Sequence, residues 1–106
     1  MIPFETIAKL FSSDLEGRFC VEIEFLVKDS PRYQSCWMGK MPNREHREKE
    51  DYWYGLVSDG SEAYDYDNFQ DFSTAPVFAG QSLREIWDSI TLVTIDGCDP
   101  EEYLSR

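Results

Sequence analysis

Apolar and polar side chains alternate along Arg18–Lys28: Phe19, Val21, Ile23, Phe25 and Val27 fall on one side, and Cys20, Glu22, Glu24 and Leu26 on the other. A period of two with one purely apolar set predicts a strand whose apolar side packs on a core. Cys20, inside this strand, is expected to behave as a small buried hydrophobe. Upstream, Phe4, Ile7, Ala8 and Phe11 recur at helical spacing behind Pro3, which suits a first helical turn. Ser12-Ser13-Asp14 and Gly17 are expected to end that helix. After a turn at Asp29-Ser30-Pro31, Tyr33–Met41 returns as a less regular strand containing Cys36, Trp37 and Met38.

The pattern is interrupted by Asn43–Glu50 (NREHREKE), a connector of mixed sign that reads as a mobile loop or as an exposed ribbon extending either neighbouring strand. Asp51–Ser58 is a third strand, and Glu62–Tyr66 a fourth, with Glu62, Tyr64 and Tyr66 opposite Ala63 and Asp65. Ser58-Asp59-Gly60-Ser61 between them predicts a tight two-residue hairpin turn, because Asp-Gly readily adopts positive φ. Asp67–Thr74 reads either as a short helix capped by Asp67 or as a loop laying Phe69 and Phe72 on the core. Ser82-Leu83-Arg84-Glu85 has the form of a capping box, followed by the apolar stripe Leu83, Ile86, Trp87 and Ile90 over Leu83–Ile90. Thr91–Ile95 is β-branched and apolar, the composition of a buried strand. Asp99-Pro100-Glu101-Glu102 opens a last helical turn over Pro100–Leu104. The expected fold is α+β: a mostly antiparallel sheet of about five strands, with two or three helices packed on one face.

Composition adds a size and a charge. The chain has 106 residues, 42% of them hydrophobic, which suits one domain with a modest core; 15% aromatic content argues against disorder. The net charge of −11 is unevenly placed. Residues 1–50 carry nine acidic and eight basic side chains, whereas residues 51–106 carry twelve acidic side chains and two arginines. Such a chain repels nucleic acid and anionic membranes and steers basic partners toward its second half, although acidity also serves solubility alone. Three widely spaced cysteines imply neither a disulfide framework nor a zinc knuckle. No basic start, apolar leader or membrane-length run is visible, so a reduced, cytoplasmic protein is expected.

Most candidate chemistry fails on inspection. Asp65, Asp67, Asn68 and Asp71 suggest a calcium loop, but Phe69 and Gln70 stand where that motif needs an oxygen ligand and glycine. His46, the only histidine, lies among loop charges, where solvation is the ordinary outcome and a two-histidine metal site is impossible. No phosphate loop, G-x-S-x-G or C-x-x-C occurs. Glu22 and Glu24 are neighbours on one strand side; paired carboxylates support acid–base chemistry when their environments differ, but such pairs are usually solvated. No cofactor and no metal is expected.

What stands out is Asp51–Phe78, with six acidic residues, eight aromatics and no Lys or Arg. Aromatics favour burial or contact while unopposed carboxylates favour water, so this tract is the candidate partner-binding surface. Its residues are Tyr52, Trp53, Tyr54, Asp59, Glu62, Tyr64, Asp65, Tyr66 and Asp67, with Glu22, Glu24 and Trp37 forming a groove if the tyrosines share their side of the sheet. Trp87 belongs to the helical stripe and is assigned to the core. In size, acidity and aromatic content the chain resembles the small acidic α+β proteins of bacteria and their mobile elements, toxin-neutralising immunity proteins among them. No motif is shared, so the resemblance implies an interaction role without residue assignments. The expected function is a non-enzymatic protein-interaction module engaging a basic protein. A small-ligand or cation-binding domain, using a groove between the sheet and the charged loop, is the alternative. An enzyme using Glu22 and Glu24 ranks third. Self-association through an open sheet edge is compatible with any of these.

Overall fold

The computed structural model describes residues 2–12, 20–46 and 48–105. Five strands form one open antiparallel sheet: β1 (Val21–Val27), β2 (Cys36–Pro42), β3 (Glu50–Gly55), β4 (Ala63–Tyr66) and β5 (Ile90–Ile95), in the spatial order β4-β3-β2-β1-β5. Four short α-helices are present among the described residues: α1 (Phe4–Ser12), α2 (Phe69–Thr74), α3 (Leu83–Ile86) and α4 (Pro100–Leu104). The α+β architecture is as the periodicities predict, with one helix more than expected because the 69–74 segment is helical.

Local signals account for most of these elements. The alternation of β1 survives as Val21, Ile23, Phe25 and Val27 buried, with Glu22 exposed and Glu24 half-buried. Ser82 Oγ accepts from the Glu85 amide at 3.1 Å while Glu85 Oε1 accepts from the Ser82 amide at 3.0 Å, so the capping box is complete. Its helix nevertheless tightens into a 3-10 turn at Trp87–Ser89 instead of continuing to Ile90. Asp99 caps α4 as expected, accepting from the Glu102 amide. For α2 the cap is Asn68 and not Asp67: the Asn68 side chain accepts from the Asp71 amide at 2.8 Å. The anticipated helix stop at Ser13–Gly17 and strand start at Arg18-Phe19 lie outside the described residues.

Three other expectations are corrected. Cys20 is exposed ahead of β1, and β5 is an edge strand, hydrogen-bonded to β1 alone, with Val93 exposed at a register shift between Glu24 and Phe25. The connection from β3 to β4 is longer than a two-residue turn. Leu56 is fully buried and donates its amide to Glu62 O at 2.9 Å, so only Val57–Ser61 turn, with Gly60 at φ 79°. Burying the Leu56 side chain outweighs the tight turn that Asp59-Gly60 alone would favour.

The core lies between the sheet and the helices. Ile7 and Phe11 from α1, Phe72 from α2, Leu83 from α3 and Tyr103 from α4 join Ile23, Phe25, Met38, Tyr54 and Ile95 from the sheet in one cluster. Phe72 stacks on Tyr54 with ring centroids 4.1 Å apart and planes 8° apart, and the Tyr54 hydroxyl donates to Phe72 O at 2.7 Å. Lys40 occupies a core-facing position on β2 and is only 4% exposed. Its ammonium donates to Phe11 O in the last turn of α1 at 2.7 Å and meets Glu50 Oε2 at 3.0 Å. A cation there complements the negative end of the helix, and the pairing makes its burial tolerable.

Candidate protein-binding face

Strand register assigns every sheet residue to one of two faces, because directly opposed residues in antiparallel strands share a face. One face carries the core. On the other, Glu22 lies opposite Gly39 and Glu24 opposite Trp37. Next along, Trp37 lies opposite Gly55, Gly39 opposite Trp53 and Met41 opposite Asp51. Asp65 lies opposite Trp53 and completes the row on β4. Among the described residues no helix covers this face. Trp37 is 38% exposed and Met41 37% exposed, large apolar side chains left in water. Four carboxylates (Glu22, Glu24, Asp51 and Asp65) surround the two indoles, and no described strand residue on this face is basic.

The two tryptophans sit differently. Trp53 lies across Gly39 closely enough that a β-carbon placed there would be 2.7 Å from Trp53 Cζ2. Gly55, opposite Trp37, has open space above it: a β-carbon there would find no atom within 4 Å. A shallow groove of about 500 Å³ runs over this spot, lined by Glu22, Ser35, Trp37, Trp53, Gly55 and Val57. It lies at the end of the sheet bordered by the 57–61 turn. The charged 43–50 loop is braced: Asn43 Oδ1 accepts from the Glu45 and His46 amides, and Asn43 N donates to Lys49 O. His46 is exposed, its Nδ1 3.7 Å from Glu48.

The tyrosines of the aromatic tract go the other way. Tyr52, Tyr54, Tyr64 and Tyr66 occupy the helix-facing side, opposite to Glu22 and Glu24, so no tyrosine-walled acidic groove exists there. Tyr54, 1% exposed, is a core residue that no partner touches without unfolding. Tyr52 packs edge-on against Phe11 and Phe69. Tyr64 and Tyr66 are half-buried at the β4 edge and line a second hollow of about 550 Å³ with Arg32, Tyr33, Glu62 and Val77. There the Glu62 carboxylate is already ion-paired with Arg32 and lies 3.4 Å from the Tyr33 hydroxyl. It is therefore not an open anion for a basic partner. Asp59 is exposed in the turn, and hydrogen bonds from Ser61 hold its carboxyl below the usual range. Asp67 is exposed between β4 and α2. The face thus gathers Trp53, Asp65, Trp37, Glu22 and Glu24 from the predicted set and adds Met41, Asp51, Gly39 and Gly55. The added glycines were visible as strand interruptions beside tryptophans, a pattern that marks close approach.

Partial desolvation and the nearby Glu22 and Asp96 charges raise the titration of the largely exposed Cys20 thiol, which makes it a poorer nucleophile. No group of three or more His, Cys, Asp or Glu able to hold a metal ion occurs among the described residues. Also among them, no helix is long and apolar enough to cross a membrane. Comparisons with protein-family models, curated proteins and solved structures find no match to this chain.

On the opposite side, burial pushes the Cys36 thiol up to about 11, and its Sγ donates to Leu56 O at 3.3 Å. Burial also raises Tyr54 well above the ordinary tyrosine range. Both groups therefore fold in their neutral forms. The Cys36 contribution is complete below the unfolded thiol value and is lost as pH rises through about 9 toward 11, and that of Tyr54 starts to be lost only above about 10. Urea unfolding at about pH 10.5 is expected to give a stability on the order of 2 kcal/mol below that at about pH 8. A flat profile across that window would show these groups to be solvated.

Proposed function

We propose that this chain is a non-enzymatic protein-interaction module whose uncovered sheet face engages a basic protein. The single observation that carries the reading is the face itself: Trp37, Trp53 and Met41 set among four carboxylates, with no basic strand side chain to neutralise them. Exposed tryptophan and methionine supply the desolvated centre that partners bind, and the surrounding charge supplies attraction and orientation. The overall −11 charge adds long-range steering toward the same kind of partner. The role is of the inhibitor or accessory type that the resemblance to small acidic immunity proteins implies, and it is placed in the cytoplasm.

An octa-arginine peptide is a direct probe. Backbone amide shifts on titration should map to β1–β4 and to the Trp37 and Trp53 indoles. The variant Glu22→Gln, Glu24→Gln, Asp51→Asn, Asp65→Asn should bind about tenfold more weakly, with a flatter dependence on salt. A control of equal charge, Glu5→Gln, Asp88→Asn, Glu101→Gln, Glu102→Gln, removes exposed carboxylates from the helical layer and should keep most of the affinity. Equal losses in both variants would mean that net charge, and not this face, attracts the peptide. A second copy of the chain seated on this face, or paired along β5, would appear as concentration-dependent mass in light scattering without any peptide.

A further inference from the structure

Gly55 is a glycine that the fold itself does not require. Its φ lies outside the left-handed region, and no atom stands where its β-carbon would be. Gly39, two strand positions away across the sheet, is required, because Trp53 and the Val21 carbonyl occupy the space of its side chain. Gly55 is the last residue of β3; glycine weakens a strand, and where internal packing does not demand it, the missing side chain leaves room for another chain to approach closely. The vacancy over Gly55 is bounded by Trp37 on β2, by Trp53 on β3 and by Val57, with Glu22 and Ser35 at its polar side. An aromatic wall with a carboxylate at one end and an open glycine floor matches one ligand chemistry above others. A long aliphatic stem lies on the floor, a cationic head meets the indole faces, and the carboxylate receives its hydrogen bonds.

We infer that the hollow over Gly55 is the specificity pocket of the proposed interface and takes a single arginine or lysine side chain of the basic partner. This rests on the reading of the sheet face as a binding surface and adds the position and chemistry of its central contact. A neutral aliphatic side chain would leave Glu22 without a partner at the rim, and an acidic one would be repelled by it.

The test uses the variant Gly55→Val, whose β-carbon meets no atom within 4 Å and whose methyls enter the hollow, and three capped amino acids: N-acetyl-arginine amide, N-acetyl-lysine amide and N-acetyl-norleucine amide. Arginine or lysine amide is expected to shift the Trp37 and Trp53 indole N–H resonances of the natural chain, the stronger of the two naming the preferred head group. Norleucine amide should leave them in place. Gly55→Val should unfold at the same urea concentration as the natural chain or a higher one, and lose the cationic probes by tenfold or more. If Gly55→Val fails to fold, Trp37→Ala, at an exposed position, takes its place with the same expected loss. Equal binding by norleucine amide, or undiminished binding by the folded variant, overturns the pocket. Octa-arginine separates this failure from that of the face: if it still binds the open face of Gly55→Val at natural affinity, the pocket falls and the face stands. If it binds the face in neither protein, both fall.

Discussion

Gly39→Ala should cost about 3 kcal/mol, against the small gain that replacing glycine with alanine in a strand ordinarily brings. The reason is directional. The added β-carbon would press on the Val21 carbonyl oxygen in the paired strand β1, and would stand 2.7 Å from Trp53 Cζ2 and 2.8 Å from Cε2. The indole can swing away into solvent, but the carbonyl belongs to the β1–β2 ladder and moves only if that pairing opens. Urea unfolding of Gly39→Ala and of Gly39→Ala combined with Trp53→Ala separates the two contacts. Most of the loss should persist in the double variant. Full recovery there would place the whole cost on the indole, and an unchanged midpoint in the single variant would refute the close approach altogether. The consequence for the face is that Trp53 lies over Gly39 on the neighbouring strand, while the space beside Trp37 stays open.

Phe72→Ala is expected to be the most damaging single truncation in the helical layer, at about 3–5 kcal/mol. Phe72 is fully buried, stacks on Tyr54 and contacts Phe11, Tyr52, Tyr66 and Phe69. Removing its ring opens a cavity at the junction of α1, α2 and β3, and the Tyr54 ring loses its stacking partner. For a domain whose whole stability is about 5–15 kcal/mol, such a loss should lower the urea midpoint by about a fifth or more. Phe69→Ala, at a half-buried position on the same helix, should cost clearly less. Equal effects at the two positions would contradict the central placement of Phe72. Neither substitution touches the open face, so the octa-arginine affinity of whatever fraction remains folded should be natural.

Sequence pattern and structure agree where a residue's environment is set by its sequence neighbours. Period-two contrast in Val21–Val27 placed the glutamates of β1 on the side away from the core, and the Ser82 and Asp99 caps lie where short-range hydrogen bonding puts them. The contrast vanishes in Tyr52-Trp53-Tyr54, where three consecutive aromatics are equally suited to burial. Their assignment was therefore settled by pairing. Trp53 lies opposite Gly39, where an indole fits and the helices are absent, while Tyr54 meets Phe72. Lys40 in a core-facing position was equally unreadable, because what accommodates it is the carbonyl of Phe11, twenty-nine residues earlier.

The amino-acid sequence by itself determined the α+β class, the approximate strand and helix segments, the acidity and the concentration of aromatics, since each depends on composition or on spacing within a few residues. Only the tertiary structure decided that the sheet runs β4-β3-β2-β1-β5, that Tyr52, Tyr54, Tyr64 and Tyr66 turn inward and Trp37 and Trp53 outward, and that Glu22 and Glu24 share a face with Trp37, Trp53 and Asp65. Strand order and register depend on contacts between segments far apart in the chain, and a shift of one residue in register would exchange the two faces. The position of that register is what leaves the space over Gly55 open.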